Sequence, residues 1–302
     1  MKTLRIGTRK SELALWQAKT VQQQLEALGC PTTIVPISSQ GDLNLTQPLY
    51  AMGIEGVFTK ALDAALLNKE IDLAVHSLKD VPTLLAQGLT QAAVLPRANP
   101  FDVLVYHPAF QDWTSRPAIG TGSLRRKAQW LRKYPTHKVD NLRGNLQKRM
   151  EKLNQSSWGG ALFAAAGLAR LGWDTHHQTI DWMLPAPGQG AISVCCRLEE
   201  QALLKQLEPL NCESTAKCTT LERLFLNRLE GGCTAPIGAL ATVQKNSIMF
   251  QGGLFSLDGK EALLFNRVFE GDRLEDFAQE AVEAIHKQGG EQLLQSIKKN
   301  LN

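Results

Sequence analysis

An aspartate and a lysine stand side by side in the run HSLKDVP (76–82), directly after an apolar segment. Pro82 prevents a strand from continuing, so Lys79 and Asp80 are expected just beyond a strand end. A carboxylate there can act as a general acid/base or stabilise a developing cation, and the ammonium can bind a substrate carboxylate. An exposed turn pair is the competing interpretation, because Lys-Asp before proline is common in turns.

Arginines recur where a predicted strand is followed by a helix. Arg125 and Arg126 follow the predicted N-cap Ser123 and occupy the first helical turn, where cations oppose the helix dipole. Arg143 precedes a second predicted cap, Asn145. Each arginine alone could be a solvated surface charge, but the repeated placement predicts anion binding at the C-terminal ends of the strands. Arginines in related positions are Arg9, Arg149 and Arg170.

The basic residues are concentrated in one part of the chain. The 302 residues carry a net charge of +4, whereas residues 97–170 contain 13 Lys/Arg against 4 Asp/Glu, a local net charge of +9. The remainder therefore carries −5. This asymmetry predicts an anionic ligand for one region. A nucleic acid is disfavoured as that ligand, because no helix-turn-helix, zinc-finger or RNP-type pattern appears.

The six cysteines predict neither a metal site nor a disulfide framework, because no pair has CxxC spacing. Cys233 differs from the others because it follows Gly231 and Gly232, which would let a bulky group approach the backbone. The competing interpretation is a small buried hydrophobic residue. No signal peptide is visible, and the longest apolar run, 161–169, is too short to cross a bilayer. We therefore predict a cytoplasmic protein without membrane contact.

The length predicts about two domains, with three possible. Strands and helices alternate in the first part of the chain, and the alternation restarts after Pro100, so two α/β units with a cleft between them are expected. A helix is predicted from the cap Ser11 to Gly29 by its apolar spacing. The remaining predicted strands and helices of these units are strands 4–8, 32–37, 71–76, 101–106, 138–141, 161–165 and 191–196, and helices 58–68, 124–133 and 146–153.

The last third of the sequence has a different pattern. A predicted helix, 213–229, is followed by three apolar segments, 237–243, 248–255 and 262–269. The latter two are joined by Asp258-Gly259, a strong hairpin signal. Helix 274–286 and a short terminal helix complete a predicted small α+β domain.

Taken together, these motifs resemble the porphobilinogen deaminase (hydroxymethylbilane synthase) family. The similarity runs from Leu4 to about Leu240, and more loosely to the end of the chain. The motifs that carry it are RIGTRKS (5–11), LALWQA (13–18), HSLKDVP (76–82), SLRR (123–126), LRGN (142–145), AAGL (165–168), GQG (188–190) and LEGGC (229–233).

The resemblance implies a fold of two α/β domains similar to periplasmic binding proteins, with a cleft between them, plus a small C-terminal α+β domain that carries the cofactor cysteine. The expected first domain is 1–96 with 190–208, because the chain of the family crosses back into it. The second is 97–189 and the third is 209–302. A monomer is expected.

The resemblance also implies an activity. Four porphobilinogen molecules are condensed head to tail, with loss of ammonia, onto a dipyrromethane cofactor bound by a thioether to Cys233, and water releases the linear tetrapyrrole hydroxymethylbilane. Asp80 is the implied catalytic residue, which contacts pyrrole nitrogens and stabilises an azafulvene-like cation. The implied cofactor-binding residues are Cys233, Lys79, Ser77, Ser123, Arg125, Arg126, Arg143 and Asp80, and the implied substrate-binding residues are Arg9, Arg149 and Arg170; no metal is implied.

A non-catalytic anion-binding protein that uses the same arginines as a static clamp is the alternative function. Cys233 discriminates between the two, since a static binder needs no covalently loaded thiol. The chain also departs from the family pattern at four positions. Glu55 stands in a loop where the family usually has lysine, and Gly122, Phe101 and Gly159 replace a usual serine, arginine and aspartate.

Overall fold

The computed structural model describes residues 2–38, 59–173, 175–229, 235–271 and 273–301. In these ranges the strands form two five-stranded sheets and one three-stranded sheet. The predicted fold class, two α/β units followed by a small α+β unit, is confirmed. Within the same ranges, no helix combines the length and the apolar character that crossing a membrane requires.

The strands are numbered in chain order. They are β1 Leu4–Arg9, β2 Thr32–Ile37, β3 Leu73–Ser77, β4 Leu89–Val94, β5 Asp102–Tyr106, β6 Ala118–Gly120, β7 Lys138–Asp140, β8 Gly160–Ala164, β9 His177–Ile180, β10 Ile192–Arg197, β11 Ile237–Gln244, β12 Ser247–Phe255 and β13 Ala262–Phe269.

The helices are numbered in the same way. They are α1 Glu12–Ala27, α2 Lys60–Leu67, α3 Leu124–Lys133, α4 Leu146–Gln155, α5 Ala165–Arg170, α6 Gln201–Leu207, α7 Glu213–Arg228, α8 Leu274–Lys287 and α9 Gly290–Leu301. Two short 3₁₀ turns, Leu78–Asp80 and Glu208–Leu210, complete the described elements.

Polar caps determine where three site-bearing helices begin. The Ser11 side chain accepts a hydrogen bond from the Ala14 N–H at the start of α1. Ser123 caps α3 in the same way, and Asn145 caps α4 by accepting from the Lys148 N–H. Each cap satisfies a backbone donor that the first turn leaves unpaired. The caps predicted at these three positions are confirmed.

The first sheet has the order β2-β1-β3-β10-β4. Strands β1, β2 and β3 are parallel, whereas β10 is antiparallel to both β3 and β4. The chain therefore returns to this sheet after β9. The core consists of apolar side chains from these strands and from α1, and includes Ile6, Leu25 and Val194.

The second sheet repeats this arrangement, with the order β7-β6-β8-β5-β9. Strands β6, β7 and β8 are parallel, and β5 is antiparallel to β8 and β9. The antiparallel strand of each sheet, β10 in the first and β5 in the second, directly follows a chain segment that connects the two sheets. The connections 95–101 and 181–191 are therefore neighbours of both sheets.

The third sheet is an antiparallel meander, β11-β12-β13, with a core of aromatic side chains. Phe225 of α7 packs edge-on against Phe250, which also contacts Phe277 of α8. The hairpin predicted at Asp258-Gly259 is confirmed by the pairing of β12 with β13. Gly259 has a φ of +76°, and a Cβ there would lie 2.4 Å from the Ala128 carbonyl oxygen of α3, so the turn tip requires glycine.

Strands β4, β6 and β9 were not expected from the sequence. β6 has only three residues, too few to show a pattern of apolar alternation. β9 is exposed at its first three positions, so its polar sequence is typical of a loop. Both strands form because a neighbouring strand offers them a ladder of backbone hydrogen bonds.

Candidate active site

Asp80 lies on a rigid turn at the end of β3. Leu78 is fully buried, and its N–H donates to the Ala191 carbonyl at 3.0 Å, next to β10. The 3₁₀ turn then brings Lys79 and Asp80 to a half-buried position before Val81 is buried again. The chain thus anchors the turn by its apolar residues and presents its two charged ones.

A cavity of about 60 Å³ opens beside Asp80, and its lining includes Arg9, Gln17, His76 and Ser77. Gln17 is buried, and its Nε2 donates to the Ser77 Oγ at 2.8 Å. Burial, together with the positive charge of Arg9, lowers the pKa of His76 to about 4. His76 is therefore neutral near pH 7 and adds no positive charge to the cavity.

Lys79 links the turn to the segment between the two α/β units. Its Nζ donates to the Gln189 Oε1 at 3.2 Å. Burial lowers the pKa of Lys79 to about 8; the charges of Arg126 and Arg125 act in the same direction, and those of Asp80 and Asp102 oppose them. The ammonium is thus close to its titration range.

Arg125 and Arg126 share one buried carboxylate, that of Asp102 at the start of β5. The Arg125 Nη1 donates to the Asp102 Oδ2 at 2.7 Å, and the Arg126 Nε donates to Oδ1 at 3.0 Å. Burial opposes ionisation of Asp102 most strongly, yet the two guanidiniums hold its pKa well below the ordinary value. The first-turn arginines thus have an internal counterion. Their predicted contacts with a cofactor stay a prediction.

Gln189 connects this ion-pair cluster with Lys79. Its Nε2 donates to the Asp102 Oδ1 at 2.9 Å and to the Pro100 carbonyl at 2.8 Å, while its Oε1 accepts from Lys79. A glutamine amide can donate hydrogen bonds through its nitrogen and accept them through its oxygen. Gln189 therefore joins the Asp80 turn of the first unit to the arginine helix of the second.

Arg143 and Arg149 lack such a carboxylate within the described ranges. Arg143 is 4% exposed, and its buried Nε and Nη1 have no hydrogen-bond acceptor among the described residues. Burial lowers the pKa of Arg149 to about 10, and the charges of Arg126, Arg143 and Arg9 act in the same direction, opposed by Asp80. These five charged groups therefore share one site. Buried guanidinium donors without an acceptor are costly unless a ligand satisfies them.

Arg170 occupies a different place from the other predicted arginines. Its Nη2 donates to the Gly190 carbonyl at 2.6 Å, and its guanidinium lies over the Trp16 ring at 5.7 Å from the ring centroid. The Ser123 hydroxyl is engaged as the cap of α3. Cys233 lies outside the described residues, as does Glu55.

Four polar residues of the site were not predicted from the sequence: Asp102, Gln189, Gln17 and His76. Asp102 could have been found, because it is the one acid at the start of an otherwise apolar strand in the most basic region. Gln17 and Gln189 give no comparable local signal, since their roles depend on partners 60 and more residues away.

Two of the departures from the family pattern have a steric explanation. A Cβ at Gly122 would lie 2.6 Å from the Leu142 carbonyl oxygen, and one at Gly159 would lie 2.6 Å from the Arg116 carbonyl oxygen. Distances below 3.0 Å require a backbone shift. The local backbone of this chain is therefore built around glycine at both positions.

This architecture and these side chains are those of an α/β protein with a cationic site around the Asp80 carboxylate. Such a site is suited to a polyanionic ligand. Residues 4–205 match the family model described as "Porphobilinogen deaminase, dipyromethane cofactor binding domain". Residues 216–293 match "Porphobilinogen deaminase, C-terminal domain". The chain belongs to the porphobilinogen deaminase family.

Curated relatives of this name include one from Desulfitobacterium hafniense, 42% identical over 99% of this chain and 98% of the relative. Another, from Desulforamulus reducens, is 40% identical over 97% of each chain. Similar solved structures include the BvgS periplasmic VFT2 domain of Bordetella pertussis, which is 13% identical with a TM-score of 0.40, covering 68% of this chain and 85% of that chain.

Proposed function

We propose that the protein is a porphobilinogen deaminase (hydroxymethylbilane synthase), a transferase that condenses four porphobilinogen molecules and releases hydroxymethylbilane. The observation that carries the proposal is the position of Asp80 among converging cations in a chain of this family. Arg9 shares the cavity lining with Asp80, and Lys79 and Arg149 lie within electrostatic range of its carboxylate.

The cations fit a ligand that carries many carboxylates. Porphobilinogen has an acetate and a propionate on its ring, so every added ring brings two more negative charges. The Arg143 donors that have no acceptor among the described residues are suited to a carboxylate, and charge-assisted hydrogen bonds of this kind are worth about 1.5–3 kcal/mol each. Arg9 and Arg149 are close enough for the charge of Arg9 to act on Arg149, and Arg170 is proposed to bind further substrate carboxylates.

Asp80 is the proposed catalytic residue. Ammonia leaves the aminomethyl carbon of porphobilinogen with the electron pair of the broken C–N bond, so positive charge develops on the pyrrole ring and its nitrogen. A carboxylate within hydrogen-bond distance of that nitrogen stabilises the charge, and it can accept the proton released when the new C–C bond forms. The fixed turn that bears Asp80 holds the carboxylate ready for both tasks.

We propose that a dipyrromethane cofactor is attached by a thioether to Cys233. When bound, it supplies the pyrrole carbon to which the first substrate is joined. The residues proposed to hold its carboxylates are Lys79, Ser77, Ser123, Arg125, Arg126 and Arg143. Helix α7 ends at Arg228, a few residues before Cys233, and its side chains reach both α/β units.

We further propose a cytoplasmic monomer with the domain boundaries 1–96 with 190–208, 97–189 and 209–302. The cysteines of the described ranges are free, which fits a reducing compartment. Burial raises the pKa of the vicinal Cys195 and Cys196 to about 11, so both thiols are protonated and unreactive at neutral pH.

Intact mass and turnover test the proposed function. The wild type should carry the extra mass of two linked pyrrole units, and Cys233→Ser should lack it. Asp80→Asn should keep the fold and the added mass but lose turnover about 10²–10⁴-fold, the usual worth of a general acid/base. Asp112→Asn, which changes an exposed acid of the second unit, is the matched control.

Two outcomes would contradict the proposal. A wild type that has no added mass and cannot be loaded with porphobilinogen would favour a static anion-binding protein. Unchanged turnover in Asp80→Asn would remove Asp80 from the mechanism.

A further inference from the structure

Arg223 of helix α7 contacts the backbone of the Asp80 turn and does not line the cavity beside Asp80. Its Nη1 donates to the Val81 carbonyl at 2.8 Å, and its Nη2 donates to the Pro82 carbonyl at 2.6 Å. A longer contact, 3.4 Å, joins Nη1 to the Leu78 carbonyl. One guanidinium thus binds carbonyls on both sides of Lys79 and Asp80.

These carbonyls belong to backbone that has left the sheet. β3 ends at Ser77, and Pro82 has no N–H to offer a ladder. A planar guanidinium with several donors in a fixed arrangement can hold two such carbonyls at once, which a lysine ammonium cannot do with the same directionality. Arg223 therefore restrains the orientation of the turn as well as its position.

Helix α7 is itself a firm support for this contact. Glu222, the preceding residue, is fully buried and accepts from the Arg97 Nη1 at 2.6 Å, from the Gly188 N–H at 2.7 Å and from the Ala241 N–H at 2.7 Å. These partners lie on the two connections between the α/β units and on β11. The helix is thus tied to both connections and to the third sheet immediately beside Arg223.

A second contact supports the same segment one helical turn further along. The Asn227 Nδ2 donates to the Thr83 Oγ1 at 3.0 Å, and the apolar side of the turn packs on Ala216 of α7. Helix α7 therefore contacts the turn segment 78–83 through the side chains of Arg223, Asn227 and Ala216. Arg223 is the only one of these three side chains with a charge.

We propose that Arg223 is a positioning residue for Asp80: it fixes the catalytic turn on the helix that leads to Cys233. The expected effect on catalysis rests on the proposed function, whereas the restraint of the turn by Arg223 does not. Displacing a catalytic group by about 1 Å can reduce the rate about 10²-fold. Arg223 is engaged with backbone carbonyls and does not line the cavity, so substrate binding should change little.

The test compares Arg223→Met and Arg223→Lys with the wild type. Arg223→Met removes the donors at similar length, and Arg223→Lys keeps the charge. We expect kcat to fall about 10–100-fold in Arg223→Met with KM within about twofold, and a smaller fall in Arg223→Lys. Arg228→Met is the matched control, because that arginine of the same helix donates to the Glu275 carbonyl and not to the turn.

Amide hydrogen exchange gives a second measurement that needs no activity. Peptides spanning 78–83 should exchange faster in Arg223→Met, whereas peptides of β8 should not change. Unchanged exchange at the turn, or unchanged kcat with faster exchange, would overturn the inference. A rise in KM equal to the fall in kcat/KM would also overturn it, since it would assign Arg223 to binding. An inactive wild type would contradict the proposed function instead, and hydrogen exchange would still decide whether Arg223 restrains the turn.

Discussion

Two pairs of arginines occupy neighbouring strand-to-helix junctions of the second sheet, and they differ in their counterions. Arg125 and Arg126 share the buried Asp102. Arg143 has buried donors without an acceptor in the described part of the chain, and Arg149 donates its Nε only to the Gly144 carbonyl among the hydrogen bonds found there. The first pair is therefore stabilised by the protein, whereas the second pair is suited to a ligand.

An arginine near a helix N-terminus maintains the shape of the site where the protein supplies its counterion, and it is available to bind a ligand where the protein does not. We infer that Arg125 and Arg126 mainly maintain the shape and field of the site, and that Arg143 and Arg149 contribute more of the differential affinity for carboxylates. Removing the counterion of the first pair should therefore lower stability, whereas removing an arginine of the second pair should lower activity and leave stability almost unchanged.

The largest effect is expected for Asp102→Asn. The substitution keeps the volume but leaves two buried guanidiniums without their counterion, so the free energy of unfolding should fall by about 3–5 kcal/mol. Urea denaturation at pH 7 measures this. Glu280→Gln, which breaks the exposed pair with Arg267, is the control and should cost about 1 kcal/mol or less. Similar losses in both variants would refute the anchoring role of Asp102.

An activity effect without a stability loss is expected for Arg143→Ala. Removing a buried cation whose donors lack an acceptor in the described ranges should leave the free energy of unfolding within about 1 kcal/mol of wild type or raise it. Loading or turnover of porphobilinogen should fall about 10–100-fold, which corresponds to one charge-assisted hydrogen bond. Arg132→Ala, an exposed arginine of α3, is the control for denaturation and for kinetics. Wild-type turnover in Arg143→Ala would contradict the assignment of the second pair to binding.

The smallest effect is a pH dependence at Lys79, which the charges of the first pair influence. Its pKa of about 8 lies below the ordinary 10.5, because of burial first and then the charges of Arg126 and Arg125 against those of Asp80 and Asp102. The ammonium is lost as pH rises through 8, so KM should rise severalfold between about pH 7 and 9. Lys79→Arg should flatten this rise, since arginine stays charged. Parallel profiles in the two proteins would exclude Lys79 as the titrating group.

The lowered pKa of Lys79 also makes the free energy of unfolding depend on pH. Between pH 8 and 10.5 the unfolded chain binds more protons at Lys79 than the folded chain does, so this group makes stability rise with pH over that window. The cost of burying the charged lysine is fully present below pH 8. Denaturation of wild type and Lys79→Met at pH 7 and 10 measures the difference.

Local signals predicted much of the fold. Strand β2, helix α3 and strand β13 have the bounds that the sequence predicts, because apolar periodicity and caps are properties of consecutive residues. The short strand β6 and the polar strand β9 were missed, since each depends on a neighbouring strand and carries little pattern of its own. In the candidate site, too, residues with a local sequence signal were predicted, and residues whose role depends on distant partners were missed.

The placement of Lys79 and Asp80 after a strand, and of arginines at the starts of capped helices, could be predicted from the sequence, because both features concern residues adjacent in the chain. Which arginines have a buried counterion, and which side chain restrains the Asp80 turn, depends on contacts between distant parts of the chain. Asp102 lies 23 residues from Arg125, and Arg223 lies 142 residues from Val81. Pairing over such separations depends on how the three units pack, which is a property of the folded chain and not of any local pattern.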